Sequence, residues 1–215
     1  MGNLIILEAK EVKVKGLDVS NKPDEEKLKE YFFDEDYANL KLLDQVQKFK
    51  RSENLNWFYP GCGSDILFPL VYLEKLFPNV TEVQFNFLDL ENFLGIIKTI
   101  LDDIGVTFSE VGEKDNFGNY NEIKFYWKGK LVNLKFVRAN AFTYLENVDS
   151  YDIYFERAFR IMRDKEFDYE MLVLSRLRNN GVLISDSGFL GKGLEYIDVP
   201  VDLSSYGEMV LGRKK

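Results

Sequence analysis

A glycine-rich turn follows one of the apolar segments of this sequence. The turn is the run Gly61-Cys62-Gly63-Ser64-Asp65, and an apolar helical pattern begins directly after it. Glycine lets the backbone turn sharply and approach a ligand with no Cβ in the way. The first amides of a helix carry a partial positive charge, which attracts a carboxylate or a phosphate. The turn is therefore a candidate site for a ligand that carries such a group.

Two acidic residues, Glu156 and Asp186, are candidates for a general base. Each of them stands at the end of a segment with a strand-like pattern. A carboxylate in that position can take a proton from a substrate hydroxyl or amine. The alternative is that both acids are solvated in loops or pair with Arg157 and Arg160. The sequence leaves both interpretations open.

The chain contains no histidine and a single cysteine, Cys62. The absence of histidine excludes Ser-His-Asp and Cys-His nucleophilic sites and the HExxH zinc site. One cysteine allows neither a disulfide within the chain nor a cysteine-based zinc site, and no metal site is expected. Cys62 itself is expected to be a small buried residue. Any chemistry must therefore rely on carboxylates, tyrosine, lysine, backbone amides or a cofactor.

The composition is that of a globular protein, with 46% hydrophobic and 30% charged residues. The net charge of −8 disfavours nucleic acid as the main partner, because binding to phosphates requires clustered Lys and Arg. No apolar run approaches the roughly 18 residues that span a bilayer, and the first residues do not have the pattern of a secretory signal. A cytoplasmic protein without a membrane segment is expected, and its oligomeric state is not fixed.

Strand-like and helix-like segments alternate from residue 55 onward. Strands are expected at 55–59, 81–88, 131–137, 152–155, 182–185, 196–201 and 208–212. Helices are expected at 66–77, 91–104 and 167–178, and the segment 122–127 is expected to form a β-hairpin with 131–137. Such alternation predicts a mostly parallel sheet with helices on both faces. Ligands of such sheets bind at the carboxyl ends of the strands.

The segment before residue 55 is expected to be an N-terminal extension, 1–54, that packs on this sheet. It contains a loosely alternating strand or hairpin pattern at 4–15 and helical spacing at 25–33 and 36–50. The rest of the chain, 55–215, is expected to be one α/β domain with a β-hairpin insertion at 106–137.

Five features stand in an order that resembles a known family. They are the run 58–64 around the glycines, Asp89 after the second strand, Arg138-Ala139-Asn140-Ala141 after the third, the fourth strand within 150–155, and the segment 177–184 that leads into the fifth. In this order they resemble the class I S-adenosylmethionine-dependent methyltransferases. The resemblance covers residues 55–215 and implies a Rossmann-like fold. That fold has a seven-stranded, mostly parallel sheet, whose last strand runs antiparallel between its neighbours.

The resemblance also implies a cofactor and the residues that would bind it. S-adenosylmethionine is the expected cofactor, with its methionine part near the glycine turn and its ribose hydroxyls near the acid after the second strand. The expected cofactor-binding residues are Gly61, Cys62, Gly63, Asp65, Asp89, Asn140 and Ala141. The methyl acceptor is expected to be a small molecule or a protein, which the sequence does not identify.

The sequence departs from the family pattern at the glycine turn. Tyr59 stands where the family usually has an acid that holds the methionine ammonium, and Asp65 replaces the third glycine. Asp65 is expected to take over the role of the missing acid, so that Asp65→Gly would weaken cofactor binding. Two alternatives are that Asp65 only caps the helix that follows, or that it repels the methionine carboxylate and blocks the site.

Two other functions remain open at this level. One is a binding or scaffold protein that has kept the fold and lost catalysis, which Tyr59 and Asp65 would favour. The other is a nicotinamide-dependent oxidoreductase. The dinucleotide fingerprint requires a third glycine where this chain has Ile66, and Asp89 lies rather far from the turn for that fingerprint, so the sequence fits this function poorly.

Overall fold

A computed structural model describes residues 8–51, 54–114, 120–160, 168–204 and 207–215 of the chain. Its described strands form one nine-stranded sheet. The strands are β1 (Leu55–Pro60), β2 (Glu82–Asp89), β3 (Phe108–Lys114), β4 (Tyr120–Trp127), β5 (Lys130–Arg138), β6 (Tyr151–Glu156), β7 (Leu177–Ser185), β8 (Leu194–Ile197) and β9 (Val210–Lys214). Within the described part of the chain, no helix is both long enough and apolar enough to span a membrane.

The order of strands across the sheet is β3-β4-β5-β2-β1-β6-β7-β9-β8. The five central strands, from β5 to β7, run parallel to one another. The last strand, β9, lies antiparallel between β7 and β8, as expected. The chain moves outward from β1 through β2 to β5, and then returns to the other side of β1 with β6. The order therefore reverses between β1 and β6, where ligands of doubly wound sheets bind.

The predicted fold class is confirmed, but the described part of the chain forms a sheet of nine strands rather than seven. The central sheet carries two further strands at one edge, where β4 pairs antiparallel with β5 and β3 pairs antiparallel with β4. The β4–β5 hairpin and the parallel pairing of its second arm with β2 agree with the prediction. The strand β3 was not predicted, because Gly112 with φ +86° and a register shift between Val111 and Lys114 interrupt its alternating pattern.

Helices cover both faces of the sheet. They are α1 (Glu25–Glu30), α2 (Asp34–Leu40), α3 (Leu67–Leu76), α4 (Leu94–Asp103), α5 (Ala141–Asn147) and α6 (Tyr169–Arg176), with 3-10 turns at Lys41–Gln45 and Val201–Leu203. The first four helices pack in one apolar cluster, which includes Trp57 and Phe85 of the sheet. The helices α5 and α6 pack in a second cluster with Phe58 and Tyr154. Neighbouring residues of a strand point to opposite faces, so β1 contributes to both clusters.

The N-terminal segment differs from its prediction in two places. Residues 8–15 form no strand, although the main-chain N–H of Lys10 donates to Thr99 Oγ1 of α4 at 3.0 Å. Residues 4–7 of the expected strand lie outside the described residues. The expected helix 36–50 is α2 followed by a 3-10 turn, and Val46 after this turn is already extended.

Two further predictions differ near the site. The helix α5 was not predicted, since it is only seven residues long. The predicted helix 167–178 extends too far, because β7 begins at Leu177 directly after α6; Phe167 lies outside the described residues.

Candidate functional site

The turn after β1 carries the two glycines in the left-handed conformation. Gly61 has φ +60° and Gly63 has φ +51°, a backbone region that favours glycine. Between them, the N–H of Cys62 donates to the carbonyl oxygen of Leu88 in β2 at 3.2 Å. Cys62 is buried, as expected, and burial raises the pKa of its thiol well above the ordinary value. Cys62 therefore anchors the turn rather than providing a thiolate.

Asp89 at the end of β2 fixes the same turn through its side chain. Its Oδ2 accepts a hydrogen bond from the N–H of Gly63 at 2.9 Å, and its Oδ1 accepts one from the N–H of Leu90 at 2.7 Å. The N–H of Glu91 lies 3.4 Å from the same Oδ1. An ionised carboxylate has about four acceptor positions, so these three bonds leave one position, on Oδ2, for a further donor. Asp89 is therefore held in place and still able to accept a hydrogen bond from a ligand hydroxyl.

Asn140 begins the helix α5 after β5. Its Oδ1 accepts hydrogen bonds from the N–H groups of Phe142 at 2.9 Å and Thr143 at 3.5 Å. This is the contact of a helix N-cap, and it explains why a short helix starts here. It also fixes the position of Ala141, which is buried beside the carboxyl end of β5.

A cavity of about 290 Å³ lies at the carboxyl ends of β1, β2, β5 and β6. It is lined by Gly61, Leu88, Asp89, Leu90, Ala139, Asn140, Ala141, Phe142, Ala158 and Phe159. Four of the expected cofactor-binding residues are among them: Gly61, Asp89, Asn140 and Ala141. The other expected residues do not line the cavity: Cys62, Gly63, Asp65, Glu156 and Asp186. Among the described residues that line the cavity, none carries a positive charge.

The ring of Phe159 lies directly above Gly61. A Cβ added to Gly61 would come within 2.4 Å of the Phe159 ring, closer than two carbon atoms can approach. Phe159 is 6% exposed, and its ring is 6.3 Å from that of Phe142 and 5.8 Å from that of Tyr169. The ring therefore fills the end of the cavity that lies over the glycine turn. Nothing in the spacing of the sequence indicated this contact.

Asp65 belongs to a network of four polar side chains beside the cavity. The hydroxyl of Tyr59 donates to Asp65 Oδ2 at 2.8 Å, and Arg157 Nη1 lies 3.4 Å from the same oxygen. Arg157 Nε lies 3.5 Å from Asp186 Oδ2, so this guanidinium stands between two carboxylates. Tyr59 is buried, and burial together with the charge of Asp65 raises the pKa of its hydroxyl well above the ordinary value. The hydroxyl therefore remains a hydrogen-bond donor.

Asp65 was expected to bind a ligand ammonium, to cap the helix that follows, or to repel a ligand carboxylate, and its position bears on all three interpretations. Its Oδ1 accepts a hydrogen bond from the N–H of Phe68 at 3.2 Å, so it also stabilises the start of α3. The Arg157 guanidinium lies over the ring of Phe68, 3.2 Å from the ring centre. Contact of Asp65 with a ligand ammonium stays a prediction, and a neighbouring guanidinium would oppose that contact by repulsion.

The two candidate bases lie behind the cavity. Glu156 is fully buried, and it accepts hydrogen bonds from the hydroxyls of Tyr154 at 2.5 Å and Ser185 at 2.6 Å. Asp186 is 7% exposed and accepts a hydrogen bond from the N–H of Ala158 at 2.8 Å. Burial raises the pKa of Asp186 above its ordinary value, although the nearby Arg157 lowers it. The role of either acid as a general base stays a prediction.

Comparison with known proteins adds little to this geometry. No protein-family model matches the chain, and no curated protein matches it. Solved structures do match its fold. One is TrmN from Thermus thermophilus, at 14% identity and a TM-score of 0.43, with 84% of this chain and 48% of that chain covered. Another is precorrin-6y C5,15-methyltransferase from Geobacter metallireducens GS-15, at 18% identity and a TM-score of 0.39, with 70% and 59% covered.

A third match is a SAM-dependent methyltransferase from Geobacter sulfurreducens in complex with S-adenosyl-L-homocysteine. It has 10% identity and a TM-score of 0.41, with 74% of this chain and 52% of that chain covered. The chain thus spans between 48% and 59% of the length of these three structures. At identities and scores this low, the likeness says nothing about the ligand or the reaction of this chain.

Proposed function

We propose that this chain binds S-adenosylmethionine and transfers its methyl group to a small molecule or a protein. The observation that carries the proposal is that one cavity brings together Gly61, Asp89, Asn140 and Ala141, which follow three different strands. The cavity lies beside the point where the strand order reverses, which is the usual ligand site of such sheets.

The chemical groups around the cavity fit the adenosine half of this cofactor. Asp89 offers an acceptor position for a ribose hydroxyl, and Leu88, Ala141 and Phe142 offer apolar surface for a flat base. When bound, the cofactor supplies a methyl group that is already activated by a positively charged sulfur. The protein then has to hold the cofactor and the acceptor in line and to exclude water.

One residue beside the glycine turn disfavours a dinucleotide. Ile66 is fully buried in the core at the position where the dinucleotide fingerprint requires glycine. The turn therefore lacks the third glycine of the dinucleotide fingerprint.

Calorimetric titration with S-adenosylhomocysteine tests this proposal through Asp89. A charge-assisted hydrogen bond contributes about 1.5–3 kcal/mol, so we expect Asp89→Ala to weaken binding by about tenfold or more. Asp89→Asn can still accept the N–H of Gly63 and separates the effect on the ligand from an effect on the turn. Glu91→Ala removes the same charge from an exposed position that does not line the cavity, and it should change the affinity by less than about threefold.

Two results would contradict the proposal. One is equal affinity of the wild type and Asp89→Ala for the ligand. The other is binding of a nicotinamide dinucleotide in place of S-adenosylhomocysteine. Binding of S-adenosylmethionine without transfer to any small molecule, protein or RNA would instead favour a binding protein that has lost catalysis.

A further inference from the structure

We propose that Phe159 sets the ligand selectivity of the cavity, and that it weakens the binding of adenosine compounds with a bulky 5′ substituent. This inference rests on the proposed function, and it names the residue that limits which ligands the cavity accepts. Its basis is the position of the Phe159 ring, which fills the space above Gly61 at the β1 end of the cavity.

The strand order determines which part of a ligand meets this ring. The cavity runs from the end of β5, past β2, to β1 and β6. A nucleoside whose base faces Asn140 and whose hydroxyls reach Asp89 has its 5′ carbon on the side of β1. A small 5′ group fits beneath the ring, whereas the methionine part of S-adenosylmethionine requires the ring to leave Gly61.

The backbone before Phe159 is held in an unusual conformation by its surroundings. Ala158 has φ +52°, a region that residues other than glycine rarely adopt. Its N–H donates to Asp186 Oδ1 at 2.8 Å, and the preceding Arg157 lies between Asp65 and Asp186. Strained backbone persists only where neighbouring contacts enforce it, and it is concentrated at ligand sites. The polar network thus places the Phe159 ring over the glycine turn.

Arg157 stands at the centre of this network. Arg157 is the only described cation within the network, and both neighbouring carboxylates hold it. Any change that frees Arg157 would therefore remove one of the contacts that hold the backbone before Phe159. Selectivity at the 5′ end follows from packing at Phe159, whereas recognition of the nucleoside follows from Asp89.

The test compares adenosine with S-adenosylhomocysteine by calorimetric titration of the wild type and variants. We expect Phe159→Ala to shift the ratio of the two affinities by at least about tenfold in favour of S-adenosylhomocysteine. Phe159→Leu, which keeps an apolar side chain, should give an intermediate shift. Phe189→Ala removes an equally buried ring of the same cluster that does not line the cavity, and it should leave the ratio within about threefold. Circular dichroism confirms that each variant is folded.

Each outcome decides between the two proposals. A shifted ratio in both Phe159 variants, but not in Phe189→Ala, supports the inference. An unchanged ratio, with S-adenosylhomocysteine bound by every protein, overturns the inference and leaves the proposed function intact. Absence of binding of both compounds to every folded protein overturns the inference and the proposed function together.

Discussion

Removal of the Asp65 carboxylate should destabilise the fold, mainly through the hydroxyl of Tyr59. Tyr59 is buried, and its bond of 2.8 Å to a charged acceptor contributes about 1.5–3 kcal/mol. The N–H of Phe68 also loses its acceptor, which costs about 0.5–2 kcal/mol at a helix start. The ion pair with Arg157 adds little, since it is partly exposed and Asp186 remains beside the guanidinium. We expect Asp65→Ala to lower the free energy of unfolding by about 2–5 kcal/mol.

Urea denaturation of a double-mutant cycle isolates the hydrogen bond within this total. We expect the free energies lost in Asp65→Ala and Tyr59→Phe to be less than additive in the double mutant, by about 1.5–3 kcal/mol. Tyr72 provides a matched control, because it is equally buried and its hydroxyl contacts the sulfur of Met209 at 3.9 Å. The cycle of Asp65→Ala with Tyr72→Phe should show a coupling below about 0.5 kcal/mol. A coupling that small in the Tyr59 cycle as well would refute the reasoning.

Two further predictions follow from the same region. Gly63→Ala should lower the free energy of unfolding by about 1–2 kcal/mol, because alanine is strained in the left-handed backbone conformation of this position. Gly61→Ala should lower it by about 1–3 kcal/mol more, because the added Cβ also meets the ring of Phe159. Equal losses of the two variants in urea denaturation would contradict this difference. The raised pKa of Asp186 means that the native state binds its proton more tightly than the unfolded state does, so its contribution to stability falls as pH rises from about its ordinary value of 3.8 through its native pKa. The stability of the wild type relative to Asp186→Asn should therefore decline over that pH range; a constant difference between the two proteins would count against this assignment.

The central sheet was predictable because its strands are buried on both faces. The segment 55–59 is a nearly continuous apolar run between polar residues and a glycine turn, and the structure extends it by one residue to Pro60. The helices α3 and α4 were likewise recognised from their apolar spacing, with ends that differ by one to three residues. The edge strand β3 was missed, since it alternates over a few residues only and is interrupted by Gly112.

The expected site residues that line the cavity are those that stand at or directly after the end of a strand. Asp89 and Asn140 stand at such ends, and the parallel order of the strands brings them to one edge of the sheet. The position of Phe159 at the cavity was not predicted, because its ring reaches across to Gly61 in another loop. A contact of that kind depends on tertiary packing, which the spacing of residues in one sequence does not reveal.

The sequence departs from the methyltransferase pattern that it resembles at Tyr59 and Asp65, and these two residues contact each other. A tyrosine at position 59 places a hydroxyl in the buried end of β1, where an unpaired polar group would be costly. Asp65 supplies its acceptor, and the charge of Asp65 is in turn balanced by Arg157. Arg157 has a second carboxylate beside it, Asp186, which also binds the N–H next to Phe159 along the chain. Tyr59 is therefore linked, through four successive contacts that end at Ala158, to the neighbouring ring of Phe159 that covers Gly61. Through this linkage, we expect Tyr59 and Asp65 to affect ligand binding by way of the position of Phe159.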